Sequence, residues 1–430
     1  MNAGRDRFVD ALRAASLVAV AVGHWLMATM VVVDGEVHGA NALDSIAALR
    51  PATWLLQVMP LFFMAGGFSN ALVWRRTVRR GGGYTEFVRS RVHRLTRPAM
   101  AFAVITPTVL GLALLTGLPE QQVGLVGELL GGPLWFLGVY VLVTALAPLM
   151  LRWHGRSPVA AAVALAVAAA TVDVVRMEVA GGVGYLNFAF VWLFAQQVGF
   201  WYVDGRLARV TRKVAWIVLA AACVALLVLT GLGPYPVSMV GLTGEMSNMA
   251  PPSVCLLVLA LAQAAACVLA RPRVNAWLER TRPWAAVVAC GSRAMTIYLW
   301  HLPVLVAAFA MMLAAGVTPP APGSTTWWLS RPVWVVALAA MLAAVSMPLA
   351  RWERAVPARG GSPGGVAVAC LGVALVSLGL FGLTLGGLAD PETTWPSVAG
   401  VLAGRVLVGT VGAACGYPSQ GDGSARDRVS

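Results

Sequence analysis

A histidine stands inside the first long apolar run of the chain. Residues 14–33 form that run, and His24 lies near its centre. An ionisable side chain is costly in such surroundings, so its presence invites a functional explanation. An imidazole can take a proton from a hydroxyl or carry an acyl group. The structural alternative is a hydrogen bond between His24 and a neighbouring helix.

Two charged residues precede His24 on the same face of a predicted helix. Arg13 lies eleven residues before it, a rotation that matches three full turns to within roughly 20°. Asp10 lies fourteen residues before it, within roughly 40° of the same line. The stripe therefore holds Asp10, Arg13, Leu17, Val20 and His24. This alignment suits a donor with an anionic head and a reactive end that reaches inward, so we assign His24, Arg13 and Asp10 to catalysis.

A second polar pair lies in the segment 295–301. Tyr298 and His301 are three residues apart and share a helix face. The predicted topology puts His301 about 10 Å past the cytoplasmic end of its span, somewhat shallower than His24. Two imidazoles at similar depths can meet in one cavity. The alternative is an aromatic cluster at the membrane interface.

Arginines are concentrated between two apolar runs, where residues 75–97 hold eight of them. Membrane topology or contact with anionic lipid headgroups explains most of these. The specific alternative is a phosphate clamp, because the planar guanidinium fork matches phosphate geometry. Arg91 and Arg94 are three residues apart and act together in that interpretation.

Four further residues have simpler interpretations. His154 lies among arginines and is predicted to be solvated. Gln196 and Gln197 lie within a predicted span and are expected to bond across helices. Trp135 is a packing or membrane-belt residue by its type alone. The cysteines show no ligand spacing, so we predict no metal site.

The elements that position these residues are predicted to be membrane-spanning helices. Of the 430 residues, 59% are hydrophobic and only 11% are charged, too few to coat a soluble surface of that size. A helix needs about 20 apolar residues to cross the bilayer. We therefore predict an all-α integral membrane bundle of eleven or twelve spans. In chain order the predicted spans are 14–33, 52–74, 98–117, 133–151, 158–175, 185–203, 214–231, 253–270, 294–316, 332–350, 366–388 and a weaker 398–414.

The distribution of basic residues predicts the orientation of the bundle. Counted over alternate loops, 27 of the 31 lysines and arginines lie on one side and three on the other. Basic residues favour the cytoplasmic side, so the N-terminus is predicted to be cytoplasmic. Topology thus explains the net charge of +13, which does not indicate nucleic acid. We expect an integral protein of a bacterial-type plasma membrane.

Five short motifs occur in order along the chain. They are Arg5 followed by Asp10-Ala-Leu-Arg13 and His24; Pro60-Leu-Phe-Phe-Met-Ala-Gly-Gly67-Phe; Phe87 with Arg91 and Arg94; Leu134-Trp135-Phe136-Leu137; and Ile297-Tyr298-Leu299-Trp300-His301-Leu-Pro303. Each motif alone is weak, but the ordered set resembles that of the acyltransferase-3 family of integral membrane acyltransferases. One departure is Ala65-Gly66, where a serine before the glycine is common in that family.

The resemblance implies a domain organisation. It implies a membrane core of ten helices, which we place at 1–350. One or two additional spans are expected within 351–416. A disordered tail is expected at 417–430, on the cytoplasmic or the external side according to the number of spans.

The resemblance also implies roles for the residues that match its motifs. His24 is implied to be the catalytic histidine, with Arg13 supporting it or the donor. The implied ligands of the CoA phosphates are Arg91, Arg94 and Arg13. The implied substrate cavity is lined by Tyr298, His301 and Trp135.

We therefore predict a membrane-embedded O-acyltransferase. It would move an acyl group, with acetyl the expected one, from cytoplasmic acyl-CoA to a hydroxyl of an envelope glycan, a lipid or a secondary metabolite. The alternative is a proton-coupled transporter or flippase without acyl transfer, because buried histidine and cytoplasmic arginine suit a carrier as well.

Overall fold

The structure is a computed structural model that describes residues 6–33, 36–242, 244, 246–349 and 365–410. It is 82% helical. Within those residues, ten helical segments are long and apolar enough to cross a membrane. Helices satisfy their backbone polar groups internally, as hydrocarbon requires. The prediction of an all-α polytopic membrane protein is confirmed.

Sixteen α-helices and one β-hairpin make up the regular α and β structure of the described residues. The helices are α1 (Arg7–Met27), α2 (Ala42–Ser45), α3 (Thr53–Leu56), α4 (Met59–Arg79), α5 (Tyr84–Leu115), α6 (Glu120–Gly131), α7 (Leu134–Arg156), α8 (Pro158–Glu178), α9 (Asn187–Val203), α10 (Arg212–Gly231), α11 (Val254–Leu278), α12 (Thr281–Ser292), α13 (Ala294–Ala314), α14 (Thr325–Leu349), α15 (Val366–Leu385) and α16 (Pro391–Thr410). The antiparallel strands are β1 (Ala28–Val33) and β2 (Glu36–Asn41).

Each predicted span coincides with a helix. Ten of these helices, some with a short helical extension, have the length and hydropathy of a membrane span. The other two are α9, which has 17 residues, and α16, whose apolar face is interrupted by Arg405. Helix α9 lies inside the bundle, where Trp192, Gln196 and Gln197 are fully buried. Its polar side chains are therefore shielded from lipid by neighbouring helices.

The first helix begins and ends earlier than the predicted span 14–33. It begins at Arg7 because Asp6 caps it, with the carboxylate accepting hydrogen bonds from the backbone N–H groups of Phe8 and Val9. His24 consequently lies close to the C-terminal end of α1 rather than at its centre.

The chain beyond α1 forms the hairpin, which the hydropathy pattern did not predict. Residues 31–33 are three consecutive valines. Valine is a β-branched residue type that favours strand over helix, although its hydrophobicity suits a membrane span. The hairpin packs on the bundle where Gly39 faces the side chain of Leu125 on α6.

The C-terminal helices belong to the same bundle as the rest of the described chain. Helices α15 and α16 pack against each other, α15 packs on α7, and α16 packs on α5. Ser377 on α15 donates a hydrogen bond of 3.1 Å to the carbonyl oxygen of Gly138 on α7. Arg5, the connection 350–364 and the predicted tail 417–430 lie outside the described residues.

Candidate active site

The predicted stripe on helix α1 lines two cavities. Asp10, Arg13 and Leu17 line a cavity of about 560 Å³ at the N-terminal end of the helix. Val20 and His24 line a second cavity of about 720 Å³ farther along it. The stripe thus faces the inside of the bundle along its whole length. The guanidinium of Arg13 and the imidazole of His24 open into different cavities.

The first cavity is basic. Arg13, Arg76 and Arg94 line it, from α1, α4 and α5 respectively, and Asp10 lies on the same wall. These three helix ends lie on the side that is predicted to be cytoplasmic. Three guanidinium groups around a cavity of this size suit a ligand with several phosphates. Arg76 belongs to the arginine-rich region of the sequence, but no spacing distinguished it there.

Arg91 lies behind the wall of this cavity rather than on it. Its side chain is buried, and Nη2 donates a hydrogen bond of 2.8 Å to Oδ1 of Asn70. Asn70 in turn donates to Oε1 of Gln196, 3.1 Å away, and to Thr144. Arg94 lines the cavity, whereas the bond to Asn70 holds the Arg91 guanidinium between helices behind the wall. The two arginines that the sequence interpretation joined in one phosphate clamp therefore occupy different environments.

His24 and His301 are in direct contact. Nδ1 of His24 lies 2.7 Å from Nε2 of His301. The rings stack with centroids 5.0 Å apart and planes inclined by 12°. The two imidazoles that the sequence placed at similar depths therefore form a hydrogen-bonded pair between α1 and α13.

The hydrogen-bond chain behind this pair determines which nitrogen of His24 is free to act. Nδ1 of His301 lies 2.7 Å from the carbonyl oxygen of Tyr298, which can only accept, so this nitrogen carries a proton. In a neutral imidazole the other nitrogen, Nε2, is then an acceptor. Nε2 of His301 therefore accepts a hydrogen bond from the Nδ1–H group of His24. Nε2 of His24 is consequently left with its lone pair and can serve as a proton acceptor.

Two tryptophans fix the backbone around the histidine pair. The indole of Trp25 donates to the carbonyl oxygen of His301 at 2.9 Å. The indole of Trp334 on α14 donates to the carbonyl oxygen of Trp25 at 3.1 Å. Both bonds are buried or partly buried, where an unmade bond is costly. Helices α1, α13 and α14 are thereby held together at the level of His24.

Phe136 and Tyr298 line both cavities and form their common wall. Their ring centroids are 5.4 Å apart at an angle of 66°. The hydroxyl of Tyr298 donates a hydrogen bond of 2.5 Å to the carbonyl oxygen of Pro133, so this side chain is held in place. Phe136 stood out in the sequence only as part of a short motif, which gave no sign of its position between the cavities.

The other residues predicted for the substrate cavity occupy different positions. Trp135 lines the second cavity and stacks on the buried ring of Trp192. His301 is buried beneath His24 and reaches the cavity only through that ring. Tyr140, which the sequence did not single out, lines the basic cavity.

An ion cluster fixes the end of α4 from which Arg76 projects. The preceding residue, Arg75, and the ring of His154 each lie 2.6 Å from a carboxylate oxygen of Asp204. Partial burial raises the pKa of Asp204, but the hydrogen bonds from Arg75 and His154 outweigh it and hold that pKa below its usual value. His154 is buried and also bonded to Gln197, so the prediction of a solvated histidine was wrong.

The comparisons with known proteins agree with these features. Residues 6–351 match the family model described as an acyltransferase domain, the acyltransferase-3 family. No curated protein and no solved structure matches the chain. Among the described residues, no three histidine, cysteine, aspartate or glutamate side chains form a group that could hold a metal ion. The match covers well over half of the chain, so the protein belongs to the acyltransferase-3 family and is an integral membrane acyltransferase.

Proposed function

We propose that the protein transfers an acyl group, acetyl in the first instance, from acyl-CoA to a hydroxyl, with His24 as general base. The observation that carries this proposal is the hydrogen-bond chain that leaves Nε2 of His24 as a proton acceptor beside a cavity. A base in this position can activate a hydroxyl for attack on a thioester.

The basic cavity is the donor site in this proposal. CoA carries its phosphates on the nucleotide and its thioester at the end of a long flexible arm. Arg13, Arg76 and Arg94 would hold the phosphates, and the arm would reach the common wall at Phe136 and Tyr298. The thioester then lies at the boundary of the cavity that contains His24. The predicted orientation makes this the cytoplasmic side, where acyl-CoA is found.

The reaction requires one proton transfer in each direction. Nε2 of His24 takes the proton of the acceptor hydroxyl while the hydroxyl oxygen bonds to the thioester carbonyl carbon. The bond between that carbon and sulfur then breaks, and the CoA thiolate leaves with the proton from His24. His301 acts as a positioning residue, because it accepts a hydrogen bond from the Nδ1–H group of His24 and so selects the tautomer of that ring.

Turnover of acetyl-CoA by the purified full-length protein tests the proposal. We expect slow release of free CoA in detergent, with water replacing the acceptor, and faster release in the presence of envelope extract. His24→Ala should lower the rate by a factor of about 10² or more, the usual contribution of a general base. The matched control is His93→Ala, since His93 on α5 lines neither cavity.

Two results would contradict the proposal. Full activity of the His24→Ala protein would remove this residue from the mechanism. A correctly folded protein that binds acetyl-CoA and never releases CoA would favour the transporter alternative or another acyl donor.

A further inference from the structure

The cavity that contains His24 has a lining that selects its ligand. The lining is mainly apolar, with leucine, methionine, alanine and tryptophan side chains from the hairpin, α1, α3, α13 and α14. The polar side chains of Asn41, Thr53 and Gln57 in this lining already bond to backbone groups. Most hydroxyl groups of a free sugar would therefore lack hydrogen-bond partners against such walls. The acceptor that fits is therefore one with a substantial apolar part.

The rim of this cavity is apolar and exposed. Leu56 and Trp328 line the cavity and are 49% and 47% exposed. In a membrane-spanning bundle, large exposed apolar side chains face lipid. Trp327 and Trp328 lie at the start of α14, where tryptophan marks the interface between headgroups and hydrocarbon. The cavity therefore opens toward the bilayer near its surface.

A cation is built into this apolar wall. Arg331 lines the cavity, and its guanidinium lies 4.8 Å from the ring centroid of Trp327 and 5.6 Å from that of Trp334. Nε donates to the carbonyl oxygen of Trp327 and Nη2 to Ser330. Among the described residues, no carboxylate forms an ion pair with it. An arginine inside a span with no anion from the protein indicates an anionic ligand.

Arg331 lies at a depth close to that of the proposed base. Trp334, one helical turn along α14, donates to the carbonyl oxygen of Trp25, the neighbour of His24. Arg331 is therefore about 4.5 Å farther along the bundle than this contact, toward the start of α14. Both side chains line the same cavity, so one ligand can present an anion to Arg331 and a hydroxyl to His24, as a lipid headgroup does.

We infer that the acceptor is an anionic membrane lipid with a hydroxyl in its headgroup, and that Arg331 binds its phosphate. The acyl chains stay in the bilayer beyond Leu56 and Trp328, and the headgroup reaches inward to His24. The exposed carboxylate of Glu128, which also lines the cavity, can accept hydrogen bonds from further headgroup hydroxyls. This inference rests on the proposed acyl transfer and names its substrate class.

The lipid hydroxyl is the nucleophile of the transfer step. The headgroup hydroxyl gives its proton to Nε2 of His24 as its oxygen bonds to the thioester carbonyl carbon. The carbon–sulfur bond breaks, the CoA thiolate takes up the proton, and the lipid leaves as an ester of its headgroup.

Vesicles of defined composition test the inference. The full-length protein is reconstituted in phosphatidylcholine containing phosphatidylglycerol, phosphatidic acid or a neutral glycosyl diacylglycerol, with radiolabelled acetyl-CoA outside and inside. Phosphatidylglycerol has both a negative charge and headgroup hydroxyl groups. Phosphatidic acid lacks the hydroxyl groups, and the glycosyl diacylglycerol lacks the charge. We expect labelled phosphatidylglycerol at a rate at least about tenfold above that of the neutral glycolipid, and none from phosphatidic acid.

Variants of one arginine separate binding from folding. Arg331→Gln should lower transfer to phosphatidylglycerol about tenfold and remove the preference over the neutral lipid, with Arg331→Lys intermediate. Residual release of CoA to water by the Arg331→Gln protein reports that the donor site and His24 are still assembled. The matched control is Arg405→Gln on α16, since Arg405 lines neither cavity.

The outcomes distinguish this inference from the proposed function. Equal labelling of the neutral glycolipid, or labelling only of a water-soluble hydroxy acid added as a competitor, would overturn the anionic lipid while leaving acyl transfer intact. Absence of CoA release in every arm would overturn both. If Arg331→Gln fails to fold, the comparison of lipids with the unsubstituted chain decides alone.

Discussion

At the scale of residues, the site depends on the backbone carbonyl oxygen of Tyr298, which can only accept a hydrogen bond. The carbonyl of Tyr298 makes Nδ1 of His301 a donor, which makes Nε2 of the same ring an acceptor for His24. The tautomer of His24 is thereby selected by the backbone of another helix. In many hydrolytic sites a carboxylate orients the imidazole base through the same nitrogen, and here the imidazole of His301 takes the place of that carboxylate.

Substitution of His301 tests this positioning role. His301→Gln keeps a side-chain oxygen that can accept the Nδ1 proton of His24, whereas His301→Leu removes it. We expect kcat to fall about tenfold in the first variant and about 10²-fold or more in the second, with KM for acetyl-CoA unchanged in both. Equal kcat values for the two folded variants would show that His301 only fills space.

The two arginines of the motif at 91–94 should behave differently. Arg94→Gln removes a cation from the cavity wall and should raise KM for acetyl-CoA about tenfold with little change in kcat. Arg91→Gln removes the donor to Asn70 and should instead destabilise the fold by about 1–3 kcal/mol. Kinetics and thermal unfolding in detergent measure both effects. A tenfold rise in KM for a stably folded Arg91→Gln would return this residue to the phosphate site.

At the scale of elements, the glycines of α4 explain the second motif. A methyl group at Gly67 would collide with the carbonyl oxygen of Gln196 on α9. A methyl group at Gly66 would lie 2.9 Å from the ring of Tyr140, which lines the basic cavity. These glycines let α4 approach α9 and α7 closely, as small residues do between membrane helices. The motif is thus a packing device that places cavity-lining side chains.

Gly67→Ala should therefore destabilise the protein. The two backbones must move apart to accept the methyl group, which costs about 1–3 kcal/mol. Gly111→Ala on α5 is the matched control, because a methyl group there meets nothing within 4 Å and helix propensity favours alanine. Thermal unfolding of both variants in the same detergent makes the comparison. Equal midpoints for Gly67→Ala and the unsubstituted chain would contradict the close approach.

At the scale of the whole molecule, the helices were predictable because lipid imposes one rule on every span. Each apolar run of about 20 residues had to satisfy its own backbone, and each coincides with a helix. The face of α1 was predictable as well, since helical rotation is local. The contact between His24 and His301 was foreseen only as a possibility, because it depends on how α1 and α13 pack.

Other parts of the site had no local signal. The signal for the hairpin was ambiguous, because the hydrophobicity of its three valines resembles that of a span. Arg76 and Tyr140 reach the basic cavity through tertiary packing, and the buried position of Arg91 depends on Asn70 from another helix. Such positions are determined by neighbours distant in sequence, which a pattern along one chain does not contain.

The predicted orientation can be measured by cysteine accessibility in intact cells. Arg209, between α9 and α10, and Glu120, the first residue of α6, are exposed and lie on opposite sides of the predicted membrane. Glu120→Cys should react with a membrane-impermeant maleimide, and Arg209→Cys should react only after permeabilisation. The unsubstituted chain controls for its own cysteines. The reverse pattern would move the basic cavity to the outside and contradict a cytoplasmic acyl-CoA site.

The shared wall of two aromatic rings has a consequence for the cell. Because Phe136 and Tyr298 belong to both cavities, a group of a few atoms can pass from one to the other while the molecules that deliver and receive it stay on their own sides. In the proposed reaction, the acyl group would cross this wall while the coenzyme stays in the cytosol, so the energy of its thioester would be used on the other side without export of CoA.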